Sequence, residues 1–349
     1  VAALLAALLG LTGCTMTGAG VVAGTAAGSV GSPTAAGPAS SVGTVPSEGT
    51  PPAPAPGPTT PAGTTSAAPS FSESVVQLAP GTSDEASGIA ASSTVTGAYF
   101  LVDDGSGTGD IVAVGSDGGV LARIGVDGMA AGNAEALAAG PCGSTPLPAG
   151  STGQSCVYVG DIGDNKERRE DIAMFRLAEP DLTAPPADPV PANEWRYTYP
   201  DGPHNAEAIL LDRDGSLLVV TKPPSAGGLP HRMYRAAPGG GQLTFVREFR
   251  PPAAERPLRT LFTGTVVTDL GGGPGRVLLL TYDEVQEFTA PDQAAELSTF
   301  PDWPHHRLPL SALPQAEGIT AAADGCGFAV ASEAGPGGHN GSLAVVACG

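Results

Sequence analysis

Basic side chains are scarce in this chain. Lys and Arg number 16 against 35 Asp and Glu, a net charge of −19, and Lys166 and Lys222 are the only lysines. Nucleic acid is therefore a poor partner, because phosphate binding needs a concentrated basic surface. Acidity of this kind favours cations instead. No C-x-x-C spacing occurs, which speaks against structural zinc. No G-x-S-x-G elbow occurs either, and no Cys and His pair marks an acyl-transfer nucleophile. Nowhere is an apolar run long enough to span a bilayer.

Charge and aromatic rings are also missing from the first 70 residues, where Glu48 is the one charged side chain. Residues 15–70, rich in Ala, Gly, Pro, Ser and Thr, cannot bury enough apolar surface to offset their ordering entropy. They read as a disordered tether, about 40 Å in span as a flexible coil. Ahead of it, VAALLAALLGLTGC (residues 1–14) is an apolar run ending in Leu11-Thr12-Gly13-Cys14. This resembles a bacterial lipoprotein signal with its lipobox, which implies cleavage, lipidation of Cys14 and an extracytoplasmic, membrane-anchored protein.

What is present after residue 70 is a repeat. NAEALAAG (133–140) and NAEAILLD (205–212) share an amide, a small residue, a glutamate and a short apolar run, and SDEASGIA (83–90) and QAEGITAA (315–322) are weaker copies. Each copy opens a series of strand-sized runs separated by turn residues, such as AYFLVDD, DIVAVGS and VLARIGV in the first, or SLLVVTK, HRMYRAA and LTFVREF in the third. The fourth unit, from GTVVTDL, lacks the motif. Four units have four strands and the fifth has three. The unassigned stretch SFSESVVQLAP (70–80) can supply the missing strand and protect an exposed edge. The expectation is all-β: a β-propeller over 71–349 with five four-stranded blades, closed by an N-terminal strand around 73–79, with six blades as the alternative and a β-sandwich behind it.

Four cysteines follow Cys14, an even number suited to disulfides in an exported domain. Of three possible pairings, sequence proximity favours Cys142 with Cys156 and Cys326 with Cys348, and the strand layout makes each pair antiparallel neighbours.

In a propeller the first strand of each blade lines the central channel, so Glu85, Glu135, Glu207 and Glu317 should ring one mouth, with Thr265 near the equivalent place in unit four. The second strands return there with Asp103, Asp104, Asp161, Asp164, Asn165, Lys222, Tyr282, Asp283 and Glu333. So many carboxylates raise one another's pKa or bind a cation. Hard oxygen ligands suit Ca²⁺, with Mg²⁺ second. The candidate metal ligands are Glu85, Glu135, Glu207, Glu317, Asp161 and Asp164, with Asn133, Asn205 and Gln315 orienting them or ligating. The competing reading has the glutamates bonding neighbouring backbone and only gluing blades together, and Lys222 serving as a built-in counter-charge. The five histidines, His204, His231, His305, His306 and His339, read as exposed loop residues, His204 standing out for its closeness to Glu207.

The strings YVGDIGDNKERREDIAMFRLAEP (158–180), YPDGPHNAEAILLD (199–212), LVVTK (218–222), QAEGIT (315–320) and ASE (331–333) resemble a family of exported actinobacterial propeller lipoproteins, distantly similar to SdiA-regulated and phytase-like, esterase-like propellers. The resemblance implies calcium binding and, as one option, hydrolysis. It departs from the family where an acidic residue would precede the repeated Glu: Ala134, Ala206 and Ala316 stand there, and only Asp84 keeps a carboxylate. A binding or scaffolding module, with an unidentified protein or small-molecule ligand, is the first reading. The alternative is a metal-dependent hydrolase of phosphoesters, esters or lactones, with Asp161 or Glu207 as general base and Lys222 as a further catalytic candidate.

Overall fold

The computed structural model describes residues 70–349 apart from 84, 106, 224–228, 253–263, 269–274, 282–283, 309, 312, 323–324 and 336–339. The signal with Cys14, the tether up to residue 69, Asp84, Tyr282, Asp283 and His339 lie outside the described residues, as does the side chain of Thr265.

Five antiparallel sheets make up this region. Strand β1 is Phe71–Gln77. The first blade holds β2 (Ala86–Ala91), β3 (Ala98–Asp103), β4 (Asp110–Gly115) and β5 (Val120–Gly125). The second holds β6 (Ala134–Pro141), β7 (Ser155–Asp161), β8 (Ile172–Ala178) and β9 (Ala192–Thr198), and the third β10 (Ala206–Leu211), β11 (Leu217–Thr221), β12 (His231–Ala236) and β14 (Thr244–Phe249). A two-residue strand, β13 (Gly241–Gln242), adds in parallel to the outer edge of β9. The fourth blade has β15 (Gly264–Thr268), β16 (Arg276–Leu280), β17 (Val285–Thr289) and β18 (His305–Leu308), and the fifth β19 (Ala316–Ala321), β20 (Phe328–Ser332) and β21 (Ser342–Cys348). The inner strands β2, β6, β10, β15 and β19 each lie against the next, and β19 returns against β2. This is a five-bladed β-propeller. Strand β1 pairs antiparallel with β21, from Phe71 opposite Cys348 to Gln77 opposite Ser342, so the outermost strand of the fifth sheet comes from the start of the domain.

The second strand of a blade is covered on both faces by neighbouring blades, which is why it reads as a continuous apolar run instead of an alternating one. LLVVT in β11, RVLLL in β16 and FAVAS in β20 are buried at every position. The apolar interior is accordingly divided into five layers, one between each pair of blades. Both disulfides form as expected, Cys142–Cys156 across the β6–β7 hairpin and Cys326–Cys348 beside β20 and β21, with Cα separations of 4.9 and 5.9 Å. Among the described residues no helix is long and apolar enough to cross a membrane.

The small residue that follows Glu317 in the fifth blade and Ser87 in the first has a steric cause. A Cβ on Gly88 would lie 2.8 Å from the backbone nitrogen of Leu137 in the next inner strand, and one on Gly318 would lie 3.0 Å from the backbone nitrogen of Ile89. At these two points the inner strands approach so closely that even a Cβ is crowded. Gly88→Val should therefore destabilise the domain by about 1–3 kcal/mol through overpacking, measured by urea unfolding.

Candidate functional site

The same local architecture recurs at the start of four inner strands. A backbone N–H at the end of the second strand donates to the carbonyl two residues before a bulge in the first: Asp104 to Glu85 (3.1 Å), Gly163 to Asn133 (3.1 Å), Lys222 to Asn205 (2.9 Å) and Glu333 to Gln315 (2.9 Å). The ladder then skips one residue, which is Ser87, Glu135, Glu207 or Glu317. A bulge re-aims the extra side chain. Hence Glu135, Glu207 and Glu317 are structural equivalents, all 6 % exposed or less.

Glu85 is not their equivalent. It occupies the amide position of the other blades and is exposed, while Ser87 takes the glutamate position. The Ser87 hydroxyl donates to the carbonyl of Ala134 on the neighbouring inner strand, so in the first blade this position does act as inter-blade glue. In blade four Gly264 pairs with Leu280, as Ala208 pairs with Val220, which sets Thr265 one step past the small-residue position.

The amide of the motif holds the glutamate two residues on. Asn133 Nδ2 donates to Glu135 Oε1, Asn205 Nδ2 to Glu207 Oε1 (3.0 Å), and Gln315 bonds both Glu317 and Glu333. Asn205 also links two blades. Its Oδ1 accepts the N–H of Asp164 (2.6 Å) and its Nδ2 reaches Asn165 (3.2 Å), tying the GDIGDN loop of blade two to blade three. Lys222 Nζ sits 3.0 Å from Glu207 Oε2, with only 13 % and 4 % of the two side chains exposed.

Asp161 and Asp164 are near this ring but serve the loop. Asp161 receives both terminal nitrogens of Arg169 (2.8 Å each) and the N–H groups of Gly132 and Asn133 (3.0 and 2.8 Å). Burial raises its pKa, yet the Arg169 and backbone hydrogen bonds outweigh burial and hold it below the usual value. Asp164 Oδ2 accepts the N–H groups of Arg168 and Arg169, closing the turn. Gly163 is required because a Cβ there would fall 1.8 Å from Asn133 Nδ2 and 2.6 Å from Glu135 Oε1. The GDIGDN motif is thus a scaffold for the ring, and its aspartates are not among the ring's free donors. His231 also departs from expectation: it is 3 % exposed, with Nδ1 2.7 Å from the Thr221 carbonyl and its ring stacked on Phe249. Burial pushes its pKa down to about 4. His204 pairs with Asp201 (3.2 Å) and stacks on Tyr234, turned toward that cluster.

The structure therefore brings together Glu135, Glu207, Glu317, Glu333, Asp104 and Lys222. Burial, then the charge of Glu207, drives the Glu135 carboxyl well above the ordinary range, with Lys222 opposing. Burial, joined by Glu207 and Glu333 and opposed by Lys222, lifts Glu317 to about 7. Burial with Asp104 and Glu85 lifts Glu333 to about 7, and burial with Glu85, Asp103 and Glu207 lifts Asp104 to about 6. Among the described residues no group of three or more His, Cys, Asp or Glu side chains is placed to hold a metal ion.

No family model matches the chain, and no curated protein matches it. Solved structures similar to it include the PQQ-bound form of an aldose sugar dehydrogenase from Streptomyces coelicolor (12% identity over 80% of this chain and 100% of that one, TM-score 0.41). A GH43_1 enzyme from Xanthomonas citri is 13% identical over 78% and 89% of the two chains (TM-score 0.44). The calcium-binding protein regucalcin from Agrobacterium tumefaciens is 13% identical over 79% and 95% (TM-score 0.40). Likenesses of this size do not indicate what the chain does.

A carboxyl with a raised native pKa binds its proton more tightly when folded, so it favours the fold while protonated. That contribution is lost as pH rises from the unfolded value, 4.5 for glutamate, through a native value near 7. The melting temperature should accordingly fall between pH 5 and pH 8, and Glu317→Gln should flatten that slope and raise the melting temperature at pH 8. Asp161 works in the opposite sense: its depressed pKa adds stability above the unfolded value of 3.8, which is lost only as pH falls below it.

Proposed function

We propose that the chain is an exported binding propeller, held at the outer face of a membrane through lipidated Cys14, whose channel mouth takes a positively charged ligand. The observation that carries this is the one-sided charge at the blade-one edge of the ring. The charges acting on Asp104, from Glu85, Asp103 and Glu207, are all negative, and Glu333 is pushed up by Asp104 and Glu85 together. A cationic group seated there would lower all of these pKa values at once, and that gain is binding energy. Two disulfides support an oxidising compartment, and the resemblance to exported propeller lipoproteins agrees with it.

The bases expected of a hydrolase are engaged elsewhere. Asp161 gives both oxygens to Arg169, and Glu207 gives one oxygen to Asn205 and the other to Lys222. A general base needs a lone pair facing the substrate and a pKa near the working pH. The depressed Asp161 has neither. Binding is thus the reading the geometry favours.

Titration calorimetry with a trilysine peptide and with spermidine tests the proposal. Both should bind at pH 7.5 with an affinity that falls as salt rises. Asp104→Asn should weaken binding about tenfold, the effect of roughly 1.4 kcal/mol. Binding that is absent, or equally strong in Asp104→Asn, would refute a cation-accepting mouth.

A further inference from the structure

We infer that the ammonium of Lys222 is the resident cation of the channel mouth, neutralising carboxylates supplied by several blades. Neutralisation of the ring in this way does not depend on which ligand the mouth takes.

Lys222 follows β11 directly, and its backbone N–H makes the recurring bond to Asn205, so its side chain leaves the backbone at the point where Asp104 and Glu333 leave theirs in other blades. One register position thus carries an acid in blades one and five, isoleucine in blade two, where Gly163 one residue later makes the backbone bond, and lysine in blade three. The lysine side chain is largely buried, 3.0 Å from Glu207, and its charge also acts on Glu135 of blade two and on Glu317 and Glu333 of blade five. A buried ammonium is costly unless paired. Here it pairs with Glu207 and its charge reaches carboxyl groups of two further blades, which is the service a bound cation would perform for them.

The donor chemistry agrees. Ca²⁺ takes roughly six to eight oxygens in its shell. Within the ring both oxygens of Glu207 are already engaged, Oε1 by Asn205 and Oε2 by Lys222, as is Oε1 of Glu135 by Asn133, while Gln315 bonds Glu317 and Glu333. Asp161 and Asp164 face Arg169 and the backbone of their own loop. Each glutamate is held by an amide at fixed spacing, a geometry suited to a compact point charge with a few rotatable donors. Lysine supplies such a charge covalently, so the ring is neutralised as soon as the blades assemble.

The test uses the full chain and two substitutions. Millimolar CaCl₂, compared with EGTA, should raise the melting temperature of wild type, and of Lys222→Arg, which keeps the charge, far less than that of Lys222→Met. Lys222→Met removes the ammonium and leaves the carboxylates in place. Its melting temperature should drop in EGTA and rise by roughly 5–10 °C in CaCl₂, the effect of a ligand at about 100 times its Kd on a domain of this size. If Lys222→Met does not fold in EGTA, its refolding yield with and without CaCl₂ gives the same reading, a higher yield with the metal being expected. A wild-type chain stabilised by CaCl₂ as much as Lys222→Met would overturn the inference. So would a Lys222→Met protein to which Ca²⁺ makes no difference.

Discussion

The structure depends on how closely five strands can approach around one axis. Inner strands that touch backbone to backbone leave no room for a branched side chain on the shared face, and Gly88 and Gly318 mark where the approach is tightest. A one-residue bulge at the start of the same strands turns the preceding side chain away from that crowded face. Crowding and bulge together put Glu135, Glu207 and Glu317 at one end of the channel. The acidity of the mouth is therefore a by-product of steric order. Its electrostatic cost is then managed by amides, by protons and by Lys222.

That management is uneven around the ring. Blades two, three and five carry an amide-held glutamate within reach of the lysine's charge, whereas blade one carries Asp104 beside Glu85 and a serine that bonds the next blade. One region of the mouth is internally compensated and the other is left electronegative. A symmetric scaffold thus acquires a directional surface by changing a single position in a few blades, in keeping with function grafted as a site upon a shared fold.

Much of the architecture was readable in the residues, because alternation, turn chemistry and a repeated motif are local signals. Strand order, the extra outer strand near residue 75 and both cysteine pairings belong to that class. The register of the first motif was not legible. Matching on glutamate aligns Glu85 with the others, whereas the recurring physical element is the small residue after the bulge, which aligns Ser87. The two residues lie two positions apart, the same parity along a strand, so periodicity in the sequence could not tell them apart. The part played by Asp161 and Asp164 was hidden for another reason: a carboxylate's partner is set by how a loop folds back, and here Arg169 and turn amides capture both. His231 looked like a loop residue because its strand follows a Pro- and Gly-rich stretch, yet it packs on Phe249.

The division of the interior into five apolar layers bears on how such a molecule changes over time. Each layer is shared by two neighbouring sheets, so damage in one is felt chiefly by its two owners. Changes in well-separated layers are then close to independent in free energy. Lineages can drift in one sector while the opposite sector stays as it was, leaving a common frame with little overall sequence likeness.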